Sequence, residues 1–258
     1  MSNVMPHPDD PDALFVPLFE ALTAIGFGEH EDVHHFNTGT LFWSLTRLFG
    51  YYERVVSVLQ LPRENREFLA ADIESYIIRF RIVLNDIAYV VRQLLPAHAR
   101  DFKGPTGGVH PDNREVSFFT LAKDLAAQHG KYPELASAFS QAALWVDRLR
   151  NDRDNVVHYK SKAVVFETNP PSFALLSAAG TELPNTLPDG GTGPHLQPIQ
   201  SFVNEQMLSL HDFMHVHLTA AVRSHATRLS LKQIPVGWDR KMICVGIQTF
   251  RRANPNAA

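Results

Sequence analysis

Residues 133–158 read PELASAFSQAALWVDRLRNDRDNVVH, and this stretch decides the fold. At about 100° per residue, Leu135, Ala138, Phe139, Ala142, Trp145, Val146 and Leu149 share one face, which predicts a long amphipathic helix opened by Pro133. Arg153 lands inside that apolar face. A guanidinium buried without partners is costly, so Arg153 either meets an acid, such as Asp86 or Glu74, or lines a cavity or subunit cleft that takes an anion. The neighbouring residues suit the second option. His158 exchanges protons near neutral pH, Asp154 lies one turn before it to orient the ring, and Arg150 stands one turn before Asp154. In the bland alternative, His158 only caps the last carbonyls of the helix.

Outward from this helix the chain reads as mostly helical. Residues 1–12, with Pro6, Pro8 and Pro11, form a loose arm, and residues 13–258 form a single mainly helical domain. Ala13–Ile25 predicts a short helix ended by Gly26 and Gly28. Asn37 or Thr38 is expected to cap a helix running to about Gln60, and Pro62 to open a second from about Arg63 to Leu95. After the Gly- and Pro-rich loop 98–113, Glu115–Gln128 predicts another helix. Ala163–Thr168 and Ser172–Ser177 flank Asn169-Pro170-Pro171 and predict a β-hairpin over about 163–178. Residues 183–198, rich in Pro and Gly, predict an exposed loop; Ile199 to about Leu231 predicts a long C-terminal helix, and Met242–Gln248 a strand. The fold class expected is therefore all-α: a helical bundle with long antiparallel helices and a small β appendage after the helix that carries Arg153.

Composition narrows the function. The 258 residues are 45% hydrophobic and 20% charged, ordinary values for a chain that buries a sizeable core. No stretch reaches the roughly 20 uninterrupted apolar residues of a membrane span, the N-terminus lacks the pattern of a secretion signal, and Cys244 is the one cysteine. These features lead to the expectation of a cytoplasmic protein without membrane attachment. A net charge of -3 gives no overall basic excess, so any nucleic-acid site must be a local cluster.

Several motifs invite chemistry. On the second long helix Glu74, Arg81, Asn85 and Arg92 fall within about 40° of one another, apart from the apolar face of Ile73, Ile77, Phe80, Leu84, Ile87 and Val91. Arg79 and Asp86 make another polar stripe. These stripes are solvated charge pairs, or else Arg79 or Arg81 brings positive charge to the cleft around Arg153. His30-Glu31-Asp32-Val33-His34 spells H-E-x-x-H, but Asp32 stands where zinc proteases carry an apolar residue and no third ligand follows at a recognised spacing. His211 and His215 are one turn apart, and surface or core histidine is the expected reading among thirteen histidines. No metal and no cofactor is expected. Phosphate-binding glycine loops, dinucleotide turns and nucleophile elbows are missing from the sequence.

Arg153, a polar Asp154, three further residues and then His158 match the Arg-x(4–6)-His signature, and the pattern over about residues 40–160 resembles the HEPN superfamily. The overlapping pair Arg150-Asn151 has seven residues between Arg150 and His158, outside the family spacing. The resemblance implies a metal-independent endoribonuclease (a hydrolase) working as a homodimer on RNA, single-stranded for preference, with motifs from two subunits meeting in one cleft and with room for a regulatory partner protein. His158 would handle the proton of a ribose 2′-hydroxyl or of the leaving oxygen, and Arg153 would stabilise charge on the phosphate. Asp154 or Asn155 would hold the imidazole. Arg150, Asn151, Asn155, Lys160, Arg79 and Arg81 are the expected substrate contacts. Because the superfamily also holds members without nuclease activity, the alternative is a non-catalytic dimerising module that binds nucleotide or RNA. In a straight helix Arg153 and His158 stand about 140° apart, so a shared cleft requires the helix to end or kink within the motif.

Overall fold

A computed structural model describes residues 18, 21, 22, 31–95, 117–157, 162–176, 196–228, 250 and 253; the side chains of 31–36, 144, 150, 151, 153–155, 157 and 228 are left aside. The expected arm 1–12, the loops 98–113 and 183–195 and the strand 242–248 lie outside the described residues.

The fold is mainly all-α with a small antiparallel sheet. Helix α1 spans Glu31–Leu59 and is followed by a 3-10 turn at Arg63–Asn65. Helix α2 spans Leu69–Gln93, α3 spans Phe118–Ala127 and α4 spans Pro133–Val157. Strands β1 (Lys162–Phe166) and β2 (Ser172–Leu176) pair in the register Lys162↔Leu176 to Phe166↔Ser172. A short β3 (Gln197–Pro198) adds to β2, with Ser172 opposite Pro198, and leads directly into α5 (Ile199–His211). A π-helical turn over Asp212–Leu218 then passes into α6 (Thr219–Arg228).

Four boundaries differ from the sequence expectation. Helix α1 starts at Glu31, so Gly26 and Gly28 lie before it and Asn37 and Thr38 fall inside it; Thr38 is buried. The predicted helix 63–95 is broken, because the Arg66 guanidinium turns back to donate to the carbonyls of Leu59 at 3.0 Å and Leu61 at 2.9 Å and to Glu167 at 2.9 Å. It thereby satisfies the open end of α1 instead of continuing a helix. Helix α3 begins at Phe118, three residues later than Glu115, where Ser117 caps it by accepting from the Thr120 amide at 3.2 Å. The C-terminal helix is interrupted by the π turn, where Thr219 Oγ1 donates to the Met214 carbonyl at 2.8 Å.

A continuous core joins these elements, built largely from rings. Phe118 of α3 stacks on Phe139 of α4 at 4.7 Å, and Phe213 of the π turn meets both edge-on at 5.7 and 5.6 Å. Trp145 of α4 lies edge-on to Phe80 of α2 at 5.8 Å. Tyr76 of α2 and Phe173 of β2 both contact Phe202 of α5, at 6.3 and 5.0 Å. Two buried phenols add direction: Tyr52 donates to Asn204 Oδ1 at 2.6 Å and Tyr76 to the Val203 carbonyl at 3.1 Å. Burial raises both phenols, Tyr52 to about 12, so they serve as neutral donors.

Phe139→Ala is expected to destabilise the protein by about 3–5 kcal/mol through the cavity left beside Phe118 and Phe213. Tyr52→Phe, which removes one hydroxyl donor, should cost only about 1 kcal/mol. Urea unfolding followed by circular dichroism measures both.

Candidate functional site

The face of α4 that the sequence marks as apolar is the buried one: Leu135, Ala138, Phe139, Ala142, Val146 and Leu149 are buried, and Val156 extends the stripe to the last turn. Trp145 is half-buried at its edge. Arg153 belongs to this helix, and its backbone lies within the same phase; Arg150, Asn151, Asp154 and Asn155 are helical beside it, all with side chains outside the described set. His158 and Lys160 lie outside the described residues altogether. Helix α4 is described as far as Val157 and β1 begins at Lys162, so helix gives way to strand between these two residues.

Two contacts fix what stands opposite this end. Phe80 meets Trp145, while two turns earlier on α2 Glu74 reaches the start of β1, accepting from the Ala163 amide at 2.9 Å with Lys162 Nζ at 3.5 Å. Helices α2 and α4 therefore run antiparallel, and the N-terminal half of α2 lies level with the motif. Arg81, adjacent to Phe80, is level with Trp145, roughly 12 Å along the helix from Arg153 at 1.5 Å per residue. It lies 4.9 Å over the ring of Phe119 on α3. Arg79 is half-buried nearby on α2.

The polar stripe on α2 consequently acts as a row of anchors. Glu74 holds β1, Arg81 stacks on α3, and Asn85 Oδ1 accepts from the Phe118 amide at 3.3 Å at the start of α3. Arg92, itself buried, lies close enough to lower the carboxyl of Asp124, which burial pushes up overall. Asp86 turns to α1: burial raises its carboxyl and a hydrogen bond with Ser44 partly offsets this. Both acids that the sequence offers to Arg153, Glu74 and Asp86, thus have partners on β1 and α1.

One acid of the motif helix escaped the sequence reading. Asp152 is half-buried between Leu149 and Val156, one turn from each, and burial raises its carboxyl to about 7. The signal is in the helical phase, since Asp152 lies beside the apolar stripe.

The histidine motifs hold no metal centre among the described residues. His34 lies in α1, and His30 is outside the description. His211 and His215 stack at 5.0 Å, with His211 buried beside the Phe250 ring and its Nδ1 3.5 Å from Asp212 Oδ1, as expected for core and surface histidines. His225, fully buried, reaches the Leu94 carbonyl at 3.0 Å.

A concavity lies on α4 before the motif. Gln141, Ala142 and Trp145 face Ser209, Asp212, Phe213 and His217 across a cleft of about 170 Å³. The sequence could not have located it, because it depends on the π turn.

No family model matches this chain, and no curated protein or solved structure matches it either.

Asp152 yields a pH prediction. Its folded pKa of about 7 lies above the unfolded 3.8, so between about pH 4 and 7 the native state holds a proton that the unfolded chain has lost. Stability therefore falls as pH rises through this window and levels off above it. Asp152→Asn should remove that decline, stabilising the protein at pH 8 by about 1–3 kcal/mol and leaving it nearly unchanged at pH 4. Melting curves of both proteins across this range check the difference.

Proposed function

We propose that this chain is a HEPN-like protein acting on RNA, a metal-independent endoribonuclease whose reacting groups are Arg153 and His158. The observation that carries this reading is the passage from α4, helical as far as Val157, to β1 at Lys162. One continuous helix through both residues would hold Arg153 and His158 about 140° apart, and we propose that the chain leaves the helical path within the motif, which lifts that constraint. The position is chemically apt as well. A helix C-terminus carries partial negative charge, which favours the cationic form of an imidazole and of a guanidinium placed there. His158 then moves a proton of the 2′-hydroxyl or of the leaving oxygen, Arg153 binds the phosphate, and Asp154 or Asn155 orients the ring. Arg150, Asn151 and Lys160 supply further contacts to the strand, and Arg79 and Arg81, two turns away along α2, belong to its periphery.

A second reading, a non-catalytic dimerising module that binds RNA or nucleotide, is favoured by a specific observation. The chain has a net charge of -3, and Asp152 places a carboxyl next to Arg153 in sequence, which weakens the field available to a phosphate.

No helix of the described residues is long and apolar enough to cross a membrane. The protein is proposed to act as a two-fold homodimer with Arg153 close to its symmetry mate, since paired motifs would then share one cleft. Light scattering at micromolar concentration should give the mass of two chains; a monomer at every salt concentration removes the composite site.

Purified protein in excess EDTA is expected to cleave single-stranded RNA to products ending in a 2′,3′-cyclic phosphate and to leave DNA intact, because DNA lacks the nucleophilic hydroxyl. His158→Ala should abolish cleavage without changing the helical spectrum. Cleavage that stops in the chelator would instead assign the chemistry to a metal. Silence on every RNA tested, with RNA still bound, would select the second reading.

A further inference from the structure

We propose that the cleft between α4 and the π turn, walled by Trp145, Gln141, Asp212 and His217, receives a single nucleobase, preferring one with an exocyclic amino group. This rests on the reading above only in taking RNA as the natural source of that base.

The cleft exists because of the helix type. Asp212 and His217 are five residues apart, which in an α-helix would set them about 140° from each other. Both line the cleft because the turn that joins them is π-helical, spanning Asp212–Leu218 with i→i+5 spacing. Such single-turn insertions are rare and are frequently found at functional sites. Thr219 supports this one by its bond to the carbonyl five residues back.

The walls suit a flat heterocycle. Trp145 is half-buried and fixed edge-on between Phe80 at 5.8 Å and Phe213 at 6.5 Å, so the indole is a rigid surface that needs little ordering when a ring packs on it. The volume of about 170 Å³ is well below the roughly 300–1,000 Å³ of sites that enclose a drug-sized molecule, which fits one ring system with its sugar outside. The polar groups at hand are an amide, a hydroxyl, a carboxylate and an imidazole, from Gln141, Ser209, Asp212 and His217. A Gln amide pairs both a donor and an acceptor of a base edge, and a carboxylate accepts from an exocyclic amine. Uracil carries only carbonyl oxygens at those positions, so Asp212 would disfavour it.

The cleft also faces along the right line. Gln141, Trp145, Arg148 and Asp152 lie within about 60° of one another on α4, and Arg148 is exposed between the cleft and the motif. A base held at Trp145 would leave its strand running past Arg148 toward Arg153, about 12 Å farther along the helix.

The test uses the wild-type full chain and three probes that contain no internucleotide bond: adenosine, cytidine and uridine 5′-monophosphates. Calorimetric titration is expected to show the adenosine and cytidine nucleotides binding at least about fivefold more tightly than the uridine nucleotide. Asp212→Asn should erase that preference, and Gln141→Ala should weaken the adenosine nucleotide by at least about fivefold; both residues are exposed, and melting curves check that Asp212→Asn, at a side chain 3.5 Å from His211, leaves the fold intact. Arg153→Ala should leave the base preference intact. Binding that survives both cleft variants but disappears with Arg153→Ala would place the nucleotide at the motif and overturn the proposal, as would failure of all three probes to bind at millimolar concentration. The two readings fail separately: base-selective binding without RNA cleavage upholds the cleft and removes the ribonuclease, while RNA cleavage without base-selective binding does the reverse.

Discussion

Phe213 is the point on which the structure turns. It sits at the start of the π turn and meets Phe118 of α3, Phe139 of α4 and Trp145 of α4, which in turn meets Phe80 of α2. Rings packed edge-to-face contribute more than their buried area alone, and a cluster that spans four elements fixes their rotation as well as their distance. An ordinary α-helical turn at 212–218 would carry Asp212 and His217 to different phases. The cleft beside the ring cluster thus depends on this local widening of the helix.

Around this apolar centre, polar side chains are spent on joining elements. Glu74 takes the Ala163 amide of β1, Asn85 takes an amide at the start of α3, Arg66 closes the end of α1 and reaches Glu167 beside the hairpin, and Tyr52 and Tyr76 hold α5. Each of these groups would be costly to bury unpaired, so each one disfavours arrangements in which its partner is elsewhere. Hydrophobic patterning alone would allow the helices to slide; these bonds set their register. The same division explains why a polar stripe at helical spacing on α2 is not a cleft lining: a row of polar residues four and seven apart serves equally well to meet several neighbours in turn.

The motif end of α4 combines two opposing demands. The core-facing stripe continues through Leu149 to Val156, which anchors the last turns, while Asp152 beside that stripe is pushed toward neutrality by burial. A carboxyl that costs stability when charged is an unusual choice for a merely structural turn. Its place directly before Arg153 links the packing of this helix to the charge around the proposed phosphate site.

The sequence by itself determined the elements whose signal is local. The 3.6-residue periodicity of α4 from Pro133 and of α2, and the two β-branched and aromatic runs around Asn169-Pro170-Pro171, were legible because burial on one face leaves a repeating pattern in the chain. The mainly helical class with a small β appendage followed from them. The Arg153-to-His158 spacing was equally legible as a motif, although its side chains lie outside the described set. Tertiary structure decided what depends on residues far apart in the chain: the break before Leu69, made by Arg66 reaching back across the turn; the late start of α3, set by Ser117 with Asn85 waiting on α2; the pairing of Gln197–Pro198 with β2; and the π turn that brings Asp212 and His217 to one side of Trp145. Periodicity reports which face is buried but not against what, and a helix that changes its pitch leaves no mark in the sequence until the rings it must accommodate are in place.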